Sequence, residues 1–155
     1  MDAQAHGADR SELNSSAVMA TTHCLTGCAL GEFTGMAIAT AFGWGNHTQI
    51  ILAIGLAFLF GFSLTARPLI KAGLTAGAVI STALAVDGLS ITIMEAIDNL
   101  VVVAIPNAID AGLGDFLFYA SIALGFAVAF PFAFLANRYL IARGRGHALV
   151  HEYHH

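Results

Sequence analysis

The chain has 155 residues, 57% of them hydrophobic and only 10% charged, with a formal net charge of -4 and a mean hydropathy of +0.77. That composition excludes an ordinary soluble domain, and the lack of a basic excess excludes a nucleic-acid binder. Two cysteines are too few for a disulfide framework, so the expectation is a single all-α, polytopic membrane protein.

Residues 1–16 are polar and are read as a mobile cytoplasmic N-terminus. The first apolar stretch, 17–42, has Arg10 as its one basic flanking residue and carries Glu32 inside. These features fit a retained helix better than a cleaved signal peptide. Within it, Cys24, Cys28, Glu32 and Met36 recur at four-residue steps. Four residues turn a helix by about 400 degrees and rise roughly 6 Å, so the four side chains form a ladder along one broad face. Gly27, Gly31 and Gly35 run beside them at the same spacing, and small residues let a second helix approach closely in lipid. That glycine face is expected near the interface of a homo-oligomer.

The second span is placed at 49–66. After Arg67-Pro68, residues 69–86 are moderately apolar and rich in Ala, Gly and Thr, and are read as an interfacial or re-entrant segment. The third span, 85–105, carries Asp87, Ser90, Met94 and Asp98 at spacings of three and four, with Glu95 beside them and Asn99 farther round. Ionisable residues inside a membrane helix are costly and mark functional sites by default. The fourth span, 116–141, completes a four-helix membrane domain at 17–142, followed by a His-rich cytoplasmic tail at 143–155. In that tail His147, His151 and His155 recur at one-turn spacing with His154 adjacent, so they are possible metal ligands.

The six basic residues fix the expected orientation. Arg10, Arg67, Lys71, Arg138, Arg143 and Arg145 all fall on one side of a four-span chain, so both termini and the central connection are expected in the cytoplasm of a bacterial inner membrane. The first and third spans then run in the same direction. Counting residues sets Cys24 and Cys28 near the level of Ile91 to Glu95, and Glu32 near Asp98 and Asn99.

This pattern points to a cation. No Lys or Arg is embedded at the depth of Glu32, Glu95 and Asp98, Arg138 lying at the end of the fourth span, so these carboxyls must be protonated, hydrated or bound to a positive ion. Thiolates and imidazole favour Cu(I), with Zn(II) or Fe(II) as other possibilities. The expected ligands are His23, Cys24 and Cys28, with Met36 and Met94 as weaker steps and Glu32, Glu95 and Asp98 as a cation or proton relay. Expected partners are the lipid bilayer, a metal ion and further copies of the chain; no nucleic acid or nucleotide is expected, because no nucleotide-binding motif is visible. Two other readings stand beside metal transport. One is a thiol oxidoreductase using Cys24 and Cys28, possibly with a quinone; the other is an assembly subunit of a larger membrane complex. Residues four apart on a helix hold their Cβ atoms about 5 to 6 Å apart, which is wider than the roughly 3.5–4.5 Å of a disulfide.

Several spaced motifs resemble one known family. They are His23-Cys24-x-x-Gly27-Cys28-x-x-Gly31-Glu32, Arg67-Pro68, Asp87-x-x-Ser90-Ile91-Thr92-x-Met94-Glu95-x-x-Asp98-Asn99, and Arg143-Gly144-x-Gly146-His147. Together they resemble a small bacterial integral-membrane family of unknown function over nearly the whole chain. The resemblance implies no activity and no catalytic residue.

Overall fold

A computed structural model describes residues 2–143, without the side chains of residues 2–9 and 86. The described chain forms four helices, α1 (Asp2–Phe42), α2 (Asn46–Lys71), α3 (Ala76–Ala104) and α4 (Phe116–Ala142). Each contains a stretch long and apolar enough to cross a bilayer. Ile51, Leu59, Ile80, Leu84, Leu100, Leu124 and Leu135 are exposed. Such an apolar exterior suits contact with lipid tails rather than water.

Two short turns reverse the chain, and glycine makes both possible. Gly43 at φ 66° and Gly73 at φ 80° adopt the left-handed conformation that ends a helix. Trp44 N–H then reaches back to the Ala39 carbonyl at 2.9 Å, and Leu74 N–H to Leu69 at 3.2 Å. Thr75 restarts the chain as α3 by accepting the Ala78 N–H at 3.4 Å.

These boundaries correct the reading of residues 69–86. They form no separate interfacial or re-entrant element: residues 69–71 finish α2, 72–75 make the turn, and 76–86 are the first turns of α3. Their moderate hydropathy reflects small helix-packing residues, and Val79, Thr82 and Ala83 are buried. The helical backbone of α1 likewise extends through the polar residues that precede the first apolar stretch.

The glycine ladder is used within the chain. A Cβ at Gly27 would lie 2.9 Å from Gly61 Cα, one at Gly31 2.6 Å from Ala57 Cα, and one at Gly35 2.8 Å from Ala53 Cα. Three steps of four residues on α1 therefore meet three on α2, in antiparallel order, at backbone contact distance. The glycine face expected at an oligomer interface is covered by α2 of the same chain, because small residues recur at matching spacing on both helices.

Helices α1 and α3 run parallel, and α4 packs antiparallel to both. Phe33 meets Phe118 edge to face, with ring centroids 5.8 Å apart, near the end of the bundle opposite Arg67 and Lys71. At that end Asn46 Nδ2 donates to Asp110 Oδ1 at 2.9 Å, tying the α1–α2 turn to the α3–α4 connection. The buried Ala108 and Ala111 seat that connection on the bundle.

Candidate functional site

Polar side chains form an axial column between α1 and α3, closed on other sides by α2 and α4. At the end bearing Arg67 and Lys71 the column begins with a hydrogen-bonded chain across three helices. Asn137 of α4 donates through Nδ2 to Thr21 Oγ1 of α1 at 3.0 Å, and Ser90 of α3 donates its hydroxyl to Asn137 Oδ1. Thr21 in turn donates to the Ala17 carbonyl at 2.7 Å, so the Asn137 amide is satisfied on both sides.

Beside this chain and beyond it, three contacts pair α1 with α3, the first of them at the same level as Ser90 and Asn137. Cys24 Sγ donates to Asp87 Oδ1 at 3.8 Å, with Thr65 of α2 alongside the carboxyl. Cys28 faces Glu95. Glu32 faces Asp98. Both thiols are free and buried. Asp98 is 2% exposed, Glu95 4%, Asp87 1% and Glu32 8%. One oxygen of each carboxyl, together with Thr65 Oγ1, is buried without a well-aligned hydrogen bond, although Thr65 stands beside Asp87 and the Glu32 and Asp98 carboxyls lie together. Such groups cost free energy unless something else satisfies them.

Beyond Glu32 and Asp98 the column widens into a cavity of about 60 Å³, bounded by all four helices and by Ala108 and Ile109 of the α3–α4 connection. A water needs about 10–15 Å³ on this measure, so the space suits a few waters or a small ion. Gly125 of α4 makes room for the carboxyl at its floor: a Cβ there would collide with Asp98 Oδ1.

The expected ligands fall into distinct groups. Cys24, Cys28, Glu32, Glu95 and Asp98 lie in the column. Met94 is buried in the hydrophobic core with both thiols and with Met36, and Met36 also lines the wide cavity. His23, one residue round from the thiol face, is half-buried. His147, His151, His154 and His155 lie outside the described residues. The expected depths agree for Glu32, which meets Asp98, and for Cys28, which meets Glu95; Cys24 meets Ser90, beside the expected Ile91 level, and also Asp87, one turn nearer the Arg67 end. Among the described residues, no three His, Cys, Asp or Glu side chains form a group that could hold a metal ion. The reason is geometric: a ladder rising along the axis offers one side chain from each helix per level.

Thr21, Thr65, Gly125 and Asn137 are members of this site that the spacing argument does not single out. Asn137 carried the one available signal, a neutral amide within an apolar helix, but its position beside Arg138 reads as a helix end.

The description of a domain of unknown function, DUF4396, matches residues 14–146. The chain belongs to the DUF4396 family. No curated protein and no solved structure matches it. The matched region of this DUF4396 member contains all four apolar stretches and every residue of the column.

Proposed function

We propose that this protein binds a transition-metal cation, Cu(I) foremost, and carries it through the membrane along the α1–α3 column. One observation carries the reading: four buried carboxyls and two thiols line the axis, each carboxyl has an oxygen without a well-aligned hydrogen-bond donor, and no Lys or Arg lies among them in the described residues. A single aspartate at the centre of a membrane helix costs about 3 kcal/mol on insertion scales. Four such groups are retained at a net cost unless protons or a positive cargo compensate them. Each level presents two side chains, and a soft two-ligand level containing a thiolate suits Cu(I) better than ions that demand four to six ligands. In this reading Cys24 and Cys28 are the soft steps, Met36 and Met94 weaker ones, and Glu32, Glu95, Asp98 and Asp87 carry compensating charge. The positive-inside rule puts the Arg67 and Lys71 end in the cytoplasm of a bacterial inner membrane and the wide cavity on the opposite side.

The test is metal content. Purified protein loaded with Cu(I) under reducing conditions and desalted is expected to retain about one equivalent by elemental analysis, and Cys24→Ser with Cys28→Ser to retain none. Retention unchanged in the double variant overturns the assignment. Thiols that instead cycle against a quinone, with no metal retained, identify an oxidoreductase. A metal-free protein in which Glu32→Gln alters only stability identifies an assembly subunit.

A further inference from the structure

The wide cavity differs chemically from the thiol levels. Its polar groups come from all four helices: Glu32 from α1, Gln49 from α2, Asp98 and Asn99 from α3, and Ser121 from α4. The donors of Asn99 and Ser121 are already used. Asn99 Nδ2 donates to the Glu95 carbonyl at 2.9 Å and to Glu95 Oε2 at 3.4 Å, which leaves its Oδ1 as an acceptor. Ser121 Oγ donates to the Phe118 carbonyl at 2.9 Å, leaving lone pairs. Glu32, nine-tenths buried, lines the cavity, and its Oε2 has no hydrogen-bond donor, only the facing Asp98 carboxyl beside Glu32. Gln49 adds an amide with an oxygen acceptor and two N–H donors. The carboxyl, hydroxyl and Asn99 oxygens nevertheless leave an excess of lone pairs at the cavity, which suits a cation better than an anion.

The geometry points to a site here for a small, hard monovalent cation of the Na+ class, held by the oxygens of Glu32, Asp98, Asn99, Ser121 and Gln49. Carboxylate, amide and hydroxyl oxygens select hard ions over soft ones. Two facing carboxyls share one proton or one cation; a shared proton leaves the pair a single negative charge, which a monovalent ion cancels. The space admits such an ion with one or two waters. It is too small for hydrated Mg2+, which gives up its waters reluctantly. The Met36 thioether forms part of the wall and carries no charge. Such a site adds an ion whose gradient would move the soft cargo of the proposed function, and it stands on the cavity's own ligands whether or not the thiols bind Cu(I).

Binding of radioactive Na+ to the purified full chain, without copper, tests it. Excess unlabelled Na+ is expected to displace the label, and equal K+ or choline to leave it bound. Ser121→Ala, which removes one neutral oxygen without disturbing charge, is expected to weaken binding about tenfold, the scale of one lost ligand contact. Asp98→Asn is expected to abolish it. Absence of displaceable Na+ binding, equal displacement by K+ or choline, or binding unchanged in both variants overturns the site. Cu(I) retention by the same preparations in choline medium, with and without the two cysteines, reports separately on the proposed function.

Discussion

At the scale of single residues, the column is held by a few neutral groups that carry no charge themselves. Asn137 joins α1, α3 and α4 through Thr21 and Ser90, so Asn137→Leu removes the acceptor of the buried Ser90 hydroxyl and leaves Thr21 with only its Ala17 carbonyl. The expected loss is about 1–3 kcal/mol of stability, read as a lowered unfolding midpoint in detergent. Thr26→Ala removes an exposed hydroxyl bonded only to its own helix, to the Thr22 carbonyl; it is expected to stay within about 0.5 kcal/mol. A midpoint for Asn137→Leu no lower than that of Thr26→Ala would remove the amide from the column. The ionisable members were legible in the sequence because helical spacing puts Cys24, Cys28 and Glu32 on one face and Asp87, Glu95 and Asp98 near another. Gly125 was not, because its role depends on the absence of a side chain opposite Asp98, and nothing in its own helix marks it.

Between elements, the closest approach is α1 to α2, and it sets how near the column α2 can stand. Gly31→Leu puts a branched side chain where even a Cβ lies 2.6 Å from Ala57 Cα. The obstacle is backbone, which has no rotamer to yield, so the expected cost is about 3 kcal/mol or more. Gly55→Leu faces open space within 4 Å and supplies the control, with little change in unfolding midpoint. Equal midpoints for the two variants would contradict the packing. The four helices themselves were readable because each carries a long apolar stretch. The α2–α3 boundary was hidden for a local reason: Ala, Gly and Thr over residues 76–86 lower hydropathy as a surface segment does, although here they continue α3. Likewise the small residues of α1 revealed that a helix would pack there, while the identity of that helix lay in the matching steps Ala53, Ala57 and Gly61 of α2.

For the whole molecule, the two ends of the column are unequal. Toward Arg67 and Lys71 it carries the Thr21, Asn137 and Ser90 chain beside Cys24 and Asp87; toward the α3–α4 connection it opens into the cavity at Glu32 and Asp98. In the proposed function a small soft ion would reach Cys28 from the cavity end, passing Glu32. With the proposed orientation that approach is from outside the cell. Two measurements join these statements. In a background lacking Cys24 and Cys28, a membrane-impermeant maleimide applied to intact cells is expected to label Gly114→Cys in the α3–α4 connection and to leave Thr75→Cys unlabelled until the cells are permeabilised. In the otherwise unaltered chain, Ag+ supplied outside sealed, right-side-out vesicles is expected to protect Cys28 from alkylation after denaturation, and the same Ag+ supplied only inside to protect it far less. Because Glu32 lies between cavity and thiol, Glu32→Gln should slow protection from outside while leaving the labelling pattern unchanged. Fast protection from the Thr75 side would place the open end of the column at the Arg67 and Lys71 face and reverse the path argued from the cavity.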